Sequence, residues 1–413
     1  MALDRSDALE RDRQDTLAVL RDAFVLRDGL IYLDGNSLGP TQACVAERVA
    51  RCVIEEWGND LIASWNKAGW YRLPQTVGAK IARLIGAGPE DVVVTDSTSV
   101  NLFKVLSAAL SVNPDRRVIV SERSNFPTDL YIAEGVSAFA GQGHELRLID
   151  SPAGLDEAIR DDVAVVMLTQ VNYRTGALHD MAAVTKKAHE AGAIMVWDLA
   201  HSAGALPIEL AATEADFAVG CGYKYLNGGP GAPAFVYVAP RLQDTVAQPL
   251  SGWFAHAAPF AMQPSFKAAP SIDRFLTGTP PIVSMAALDA ALDIWDNVSL
   301  AALREKSIAL CEMFIALVEE RCAGFDLSLG SPRQPELRGS QVCFNHPQAY
   351  PIMQALIERQ VVGDFRAPDI LRFGFAPLYV RFVDVYDAVD HLAAVLATEE
   401  WNQDRFMVKD AVT

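Results

Sequence analysis

The chain lacks the short motifs that mark metal, redox and nucleotide sites. It has only six cysteines in 413 residues, and no two of them stand as Cys-x-x-Cys, which excludes a zinc ribbon or a thioredoxin-like motif. Six cysteines are too few for a disulfide framework, so we expect reduced, buried thiols. His-Glu-x-x-His, the Walker loop and Gly-x-Gly-x-x-Gly are missing as well, which argues against a catalytic metal, ATP and NAD.

Long hydrophobic runs and an excess of basic residues are also absent. The longest apolar runs, such as 163–168, are far below the roughly 18 residues that span a bilayer. Residues 1–17 are charged and lack the apolar core of a signal peptide, so we expect a cytoplasmic protein without membrane contact. With 35 basic and 52 acidic residues the net charge is −17, which argues against nucleic-acid binding.

The composition is that of a packed globular protein. Hydrophobic residues make up 51% and charged residues 21% of the chain, and both values exclude a largely disordered protein. At about 150 residues per domain, the length predicts roughly two to three domains, or one large and one small.

Short apolar runs alternate with helical patterns through the middle of the chain, which predicts an α/β fold with a mostly parallel, buried sheet. Near the N-terminus we expect a helix over 41–57 and a Trp- and Gly-containing loop over 58–74. A strand and helix alternation over 325–400 suits a small α/β terminal domain. The predicted division is an N-terminal segment that packs with the small domain, a large domain and the small domain, at 1–45, 46–300 and 301–413.

A lysine follows a predicted strand in the tract FAVGCGYKYLNGGPGAP (217–233). Burial disfavours the charged form of Lys224, and a depressed pKa is what a Schiff-base lysine needs. The glycines after it allow a tight turn around a bulky group. On the local sequence alone, a surface lysine at the end of a strand fits equally well.

A carboxylate ends another predicted strand, in VWDLAHSAGALP (196–207). Asp198 could pair with a heterocyclic nitrogen at the carboxyl edge of the sheet, where α/β proteins bind ligands. His201 follows three residues later. Taken singly, a helix cap for Asp198 and an interior histidine for His201 are the simpler interpretations.

Hydroxyl side chains begin a predicted helix in TDSTSVNLF (95–103). Backbone amides at a helix N-terminus, with the Thr98 and Ser99 hydroxyls, make a cradle for phosphate. Serine and threonine are also ordinary caps. The three features together are more specific, because a phosphate cup, a strand-end Asp and a strand-end Lys come in the order expected of pyridoxal phosphate enzymes with the aminotransferase-like fold.

The chain resembles the kynureninases, within the class V aminotransferase-like group. The resemblance covers nearly the whole chain and implies the fold-type I architecture, a large domain with a mostly parallel, seven-stranded-type sheet plus a smaller α/β domain. The matching tracts are YLDGNSLGP (32–40), SNFPTD (124–129), WDLAHSAGALP (197–207), GCGYKYLNGGPG (220–231), SGWF (251–254), GTPP (278–281) and RFGFAPLY (372–379).

The resemblance implies a role for each matched site residue. Lys224 would bind pyridoxal 5'-phosphate as a Schiff base, Asp198 would pair with the pyridine nitrogen, and Phe126 would stack on the ring beside Asp129. The other residues implied to hold or surround the cofactor are Thr98, Ser99, Thr169, His201, Tyr223, Trp253 and Thr279. In this family Trp253 and Thr279 reach the cofactor of the neighbouring subunit, which implies a homodimer.

The resemblance also implies a substrate site. Arg372 would bind the substrate α-carboxylate, for which a planar guanidinium is suited. Animal members tend to carry Ser-Asn where this chain has Gly278-Thr279, in the region of the substrate ring, and Trp65 is assigned to the same region. A larger aromatic wall without an extra amide favours L-kynurenine over 3-hydroxykynurenine.

The implied reaction is the hydrolysis of L-kynurenine to anthranilate and L-alanine, in tryptophan catabolism or NAD biosynthesis. Lys224 would remove the Cα proton, the ring held by Asp198 would accept the electrons, and water would add to the γ-ketone before the Cβ–Cγ bond breaks. Tyr223 is a candidate proton carrier, and a hydrogen bond to the phosphate is its competing role.

Two other kinds of protein share this fold. A cysteine desulfurase or selenocysteine lyase needs a mobile nucleophilic cysteine, and Cys343 stands in a predicted strand, SQVCFNH, where a core role is expected. Nothing marks the acceptor site of an aminotransferase. A non-enzymatic relative would be expected to lose the lysine, whereas Lys224 and Asp198 are both present.

Overall fold

The computed structural model describes residues 3–409. The outermost residues of the predicted N-terminal segment and small domain, 1–2 and 410–413, lie outside the described residues. The strands are β1 Ile31–Tyr32, β2 Val92–Val94, β3 Val118–Glu122, β4 Glu145–Ile149, β5 Val163–Thr169, β6 Ile194–Asp198, β7 Phe217–Gly220, β8 Phe235–Val238, β9 Ser328–Leu329, β10 Gln341–Asn345, β11 Val361–Val362, β12 Asp364–Arg366 and β13 Ile370–Gly374. The α-helices are α1 Arg5–Gln14, α2 Ala43–Arg51, α3 Ser64–Lys67, α4 Leu73–Leu84, α5 Thr98–Val112, α6 Pro127–Ala140, α7 Leu155–Ala158, α8 Met181–Glu190, α9 Ile282–Ala291, α10 Leu300–Arg321, α11 Ala349–Glu358, α12 Phe382–Ala397 and α13 Asp404–Met407.

A seven-stranded sheet forms the centre of the fold, in the order β2-β8-β7-β6-β5-β3-β4. Neighbouring strands from β7 to β4 pair in parallel, and β8 runs antiparallel to both β7 and β2. Every residue of β5 and β6 is buried, as expected for parallel strands covered by helices on both faces. The predicted α/β fold with a mostly parallel sheet is confirmed.

The region between α2 and α4 differs from its prediction. The helix predicted over 41–57 is α-helical only to Arg51 and continues as a π-helix over Cys52–Asp60. Inside that segment the Glu56 carboxylate lies 2.9 Å from Arg48 Nη1 and accepts a hydrogen bond from Trp70 Nε1 at 2.8 Å. The loop predicted over 58–74 is instead a series of short helical turns. Buried polar partners, which the local pattern does not show, accompany the altered winding.

A second sheet, β12-β13-β10-β9, is antiparallel and lies after the long helix α10. The N-terminal residues join this half of the chain, because β1 pairs with β11 and the Arg5 guanidinium bonds Asp387 of α12. The division into segments at 1–45, 46–300 and 301–413 stays a prediction.

Two further features follow from the described residues. All six cysteines are free, and five are buried, but Cys44 is exposed, which corrects the expectation for that residue. No helix within residues 3–409 has the length and apolar character that crossing a membrane would require.

Candidate active site

Parallel pairing of β5, β6 and β7 brings their carboxyl ends to one edge of the large sheet. Thr169 ends β5 directly beside Asp198, which ends β6, and Asp198 pairs in turn with Val219 of β7. Lys224 follows β7 by four residues, in the turn that leads to the antiparallel β8. The topology therefore places a lysine, a carboxylate and a hydroxyl at the edge where α/β sheets bind ligands.

Lys224 faces a buried histidine. Its Nζ lies 3.0 Å from His201 Nε2. Burial, and then the nearby Lys224 charge, lower the pKa of His201, so the imidazole is neutral and accepts a hydrogen bond from the amine. The Nδ1 atom of His201 is buried without a hydrogen-bond partner. Tyr223 is half-buried, with its ring centre 5.8 Å from Lys224 Nζ, and burial raises the pKa of its hydroxyl.

The loop between β1 and α2 packs against the backbone at Lys224. Gly39 N donates to the Tyr223 carbonyl at 2.9 Å. A Cβ atom at residue 39 would lie only 2.3 Å from the Lys224 carbonyl oxygen, so the close approach requires glycine here. The tract YLDGNSLGP thus forms part of the wall around Lys224.

Two buried carboxylates lie together beside Thr169. Thr169 Oγ1 is 3.3 Å from Asp129 Oδ2 and also bonds the side chain of Asn125. Burial raises the pKa of both Asp129 and Asp198, and the Asp198 charge raises that of Asp129 further. One Asp198 oxygen accepts from Ala200 N at 2.7 Å. Two adjacent carboxylates in a dry site favour a proton or a cation between or beside them.

Phe126 stands at the start of α6. Its backbone N–H donates to Asn125 Oδ1 at 2.7 Å, and its ring meets the ring of Tyr173 edge to face, with centroids 5.2 Å apart. Phe126 is 40% exposed. Phe126 therefore offers an uncovered aromatic face beside the Asn125–Thr169 hydrogen bond.

Thr98 and Ser99 form the first turn of α5, and Ser97 caps it by accepting from Val100 N. Both side chains are half-buried. The preceding residue, Asp96, has a φ of +46°, and its carboxylate bonds the fully buried Lys104 ammonium. The Asp96–Lys104 pair thus holds the N-terminus of α5 in place, while the first backbone amides of the helix stay available to an anion.

Arg372 lies in β13 and is fully buried. Nη1 donates to the Tyr173 carbonyl at 2.8 Å, and Nη2 donates to Ser37 Oγ at 2.6 Å and to the Asp364 carboxylate. Arg366 pairs with the same carboxylate at 2.7 Å. The Tyr173 contact ties this cluster to Phe126, and so joins the predicted substrate residue to the predicted cofactor residues.

The remaining predicted residues lie around Phe254 and Thr277, and Thr277 Oγ1 reaches the Asp96 carboxylate at 3.5 Å. Trp65 and Trp253 both contact the ring of Phe254, at 6.2 Å and 4.7 Å between centroids. Gly278 and Thr279 are exposed. Within residues 3–409 the ring and hydrogen-bond contacts recorded for these four residues do not include Lys224, so their roles stay predictions.

Sequence reasoning missed several residues of the site, although some stand in the quoted motifs. Asn125 lies in SNFPTD and Ser37 in YLDGNSLGP, and neither was given a role. Their short polar side chains inside the matching tracts could have indicated that both residues belong to the site. Arg366, Asp364 and Tyr173 lie outside the motifs and carried no signal of their own.

The groups around Lys224 fit pyridoxal 5'-phosphate. A neutral histidine holds the amine, a buried carboxylate can accept a hydrogen bond from a protonated ring nitrogen, and a helix N-terminus can take a phosphate. The unpartnered His201 Nδ1 is a further polar atom that a ligand could satisfy.

Solved structures of low sequence identity share this fold. The chain superposes on the apo cysteine desulfurase of Thermococcus onnurineus with a TM-score of 0.77 and 20% identity, covering 92% of this chain and 98% of that one. With a C-DES mutant that has glycine covalently linked to its PLP cofactor, the TM-score is 0.75 and the sequence identity is 18%. That superposition covers 90% of this chain and 97% of the C-DES chain. At such identities the likeness shows the fold alone.

Sequence comparison is far more specific. The chain is 55% identical to the kynureninase of Pseudomonas fluorescens and 56% identical to that of Burkholderia mallei strain SAVP1, each over 413 residues and 99% of both chains. Residues 303–392 match the family profile described as the kynureninase C-terminal domain. The chain belongs to the kynureninase family.

Proposed function

We propose that the protein uses pyridoxal 5'-phosphate to hydrolyse the Cβ–Cγ bond of L-kynurenine, giving anthranilate and L-alanine. The observation that carries the proposal is the pairing of Lys224 Nζ with His201 Nε2 at 3.0 Å, beside the buried Asp198, in a chain 55% identical to a kynureninase over its full length. Hydrolysis of 3-hydroxykynurenine is the closely related alternative.

Residues already described would hold the cofactor. Lys224 would bind its aldehyde carbon, Asp198 its ring nitrogen, Phe126 its ring face, and the first turn of α5 its phosphate. When bound, the cofactor supplies an electron sink for the bonds at the substrate Cα.

The chain's own groups then move the protons. Lys224 Nζ would take the Cα proton, and the neutral His201 would keep that amine in place. Asp198, as a carboxylate, would pair with the ring nitrogen and keep a proton on it. The oxygen of the added water ends in the carboxyl group of anthranilate, and one of its hydrogens ends in the methyl group of alanine.

Tyr223 is the candidate carrier of the late proton. Its hydroxyl has a raised pKa because it is buried, so at neutral pH it carries a proton that it can deliver to a developing carbanion. Its competing role is a hydrogen bond to the cofactor phosphate, and Tyr223→Phe would affect cofactor affinity in that case.

The substrate and partner assignments are part of the proposal. Arg372 would bind the α-carboxylate, with Trp65 and Gly278 near the substrate ring. A homodimer would let Trp253 and Thr279 reach the neighbouring cofactor, which is consistent with their exposure in the single subunit. A cytoplasmic location and a place in tryptophan catabolism stay predictions.

The desulfurase alternative needs a mobile, ionisable cysteine. Cys343 is fully buried in β10, its Sγ lies 2.6 Å from the Arg174 carbonyl, and burial raises the pKa of the thiol to about 12. A thiol held in this way is a poor nucleophile.

The test is incubation of the cofactor-loaded protein with L-kynurenine while anthranilate fluorescence and alanine are measured. We expect equimolar products, lost in Lys224→Ala and retained in the control Lys186→Ala, which changes an exposed lysine of α8. L-Cysteine and 3-hydroxykynurenine are assayed in parallel. Release of sulfide from cysteine without any anthranilate would overturn the proposal.

A further inference from the structure

We propose that Arg366 is a second binding residue for the substrate carboxylate, and that Asp364 holds Arg366 and Arg372 together as one anion site. This inference rests on the proposed function, because it concerns the same substrate group. It assigns a role to an arginine that no motif marked.

Arg372 has few donors left for a ligand. Three of its contacts go to the protein, at the Tyr173 carbonyl, Ser37 Oγ and the Asp364 carboxylate. With the Asn36 amide oxygen turned toward it, Arg372 Nε also has an acceptor at 3.2 Å. A guanidinium has five N–H groups, so these contacts occupy four of them. Arg372 alone therefore lacks the two parallel donors that grip a carboxylate.

Arg366 supplies a further hydrogen-bond donor for a carboxylate, which Arg372 lacks. Its Nη2 lies 2.7 Å from Asp364 Oδ2, whereas its Nε is buried with no hydrogen-bond partner. A buried donor without an acceptor destabilises the folded protein unless a ligand accepts its hydrogen bond. The side chain is 36% exposed, so it remains accessible from outside.

Hydrogen bonds link Arg366 to the cluster around Arg372. Arg366 Nη2 lies 3.5 Å from Ser37 Oγ, which also accepts from Arg372 Nη2 at 2.6 Å. Arg372 Nη1 donates to the Tyr173 carbonyl, and the Tyr173 ring touches Phe126. These contacts connect Arg366, through Arg372 and Tyr173, to a residue predicted to hold the cofactor.

The charge balance calls for an anion. Two guanidinium groups share one carboxylate, Asp364. The second nearby carboxylate, Asp34, lies 4.0 Å from Arg372 Nη2, and burial raises its pKa to about 7. Near neutral pH Asp34 is only partly ionised, so the two guanidinium groups face less than two negative charges, and a substrate carboxylate would neutralise the remaining positive charge.

The test measures binding to the cofactor-loaded protein by calorimetry, independently of turnover. The probes are 4-(2-aminophenyl)-4-oxobutanoate, which lacks the α-amino group and cannot react with the cofactor, and its primary amide. In Arg366→Gln we expect the acid to bind about 10- to 100-fold more weakly, as for the loss of a charge-assisted hydrogen bond. The amide should change less than about twofold, because it offers no charge to Arg366.

Two further variants make the result decisive. Arg366→Lys keeps the charge but loses the planar guanidinium, so its affinity for the acid should lie between those of wild type and Arg366→Gln. It replaces Arg366→Gln in the test if that variant does not fold. Arg333→Gln, an exposed arginine paired with Glu319, should change neither affinity.

Equal weakening of acid and amide, or no weakening of either, would overturn the role of Arg366. A wild-type protein that prefers the acid but forms no anthranilate would refute the proposed reaction and leave the carboxylate site standing.

Discussion

The buried pair Lys104–Asp96 offers a direct test of how the cofactor side of the site is fixed. Lys104 lies within α5 with its side chain fully buried, bonding Asp96 and donating to the Phe275 carbonyl at 2.6 Å. Thr277 Oγ1 reaches the same carboxylate at 3.5 Å. Replacing Lys104 by Met removes the cation while keeping a long apolar side chain.

The size of the effect follows from burial. Breaking a fully buried pair costs about 3–5 kcal/mol, because one charge stays behind without a partner. The Asp96 side chain is 31% exposed, and solvent will stabilise part of its charge, so we expect a loss of about 2–3 kcal/mol. In the double variant Lys104→Met/Asp96→Asn no charge is left, and the loss should shrink to about 1 kcal/mol.

The assay is urea unfolding of the wild type, both single variants and the double variant at one fixed cofactor concentration, because bound cofactor itself stabilises the folded state. Lys186→Met, which changes a lysine with a 77% exposed side chain, should alter the free energy of unfolding by less than about 0.5 kcal/mol. A Lys104→Met loss as small as that of the control would refute the reasoning. A double variant no more stable than Lys104→Met would also contradict it.

Three other predictions concern the site itself. Asp34 is neutral below its pKa of about 7 and negative above it. At high pH its carboxylate competes with the substrate carboxylate for Arg372, so the KM for L-kynurenine should rise above pH 7. A rise that persists in Asp34→Asn would contradict this prediction. Phe126→Ala should weaken cofactor binding about tenfold through lost stacking, measured by fluorescence titration, and Tyr131→Ala on the exposed side of the same helix should not. Cys343→Ala should keep kynurenine hydrolysis within about threefold, since the thiol is buried and protonated; a selective loss of turnover in a folded variant would reopen a nucleophilic role.

The centre of the fold could be predicted because its signals are local. Continuous apolar runs mark β5 and β6, and their parallel pairing follows from the helices between them. That pairing brings Asp198 and Thr169 side by side. The sequence pattern was therefore enough to expect the sheet and the strand-end carboxylate near Lys224.

The substrate side could be predicted only in part. The family resemblance points to Arg372, but the β12–β13 register, which sets Asp364 opposite Arg372, depends on a short hairpin without a periodic pattern. Ser37 meets the same arginine across 335 residues of chain. Patterns in a single sequence indicate contacts between residues that are close in the chain. The arginine cluster and the π-helix at Cys52–Asp60, with its buried polar partners, could therefore be identified only from the three-dimensional structure.

The long chain separation between Ser37 and Arg372 has a consequence for biosynthesis. The residues predicted to hold the cofactor's ring and phosphate within one subunit lie between 98 and 224, whereas the arginine cluster joins the loop at 34–40 to strands near residue 370. A ribosome releases the chain from its N-terminus, and domains fold as units during synthesis. The cofactor side can thus form while the chain is still being made, but the carboxylate side must wait for almost the last residues. We therefore expect the residues predicted to hold the cofactor to be in place in the growing chain before the arginine cluster is complete.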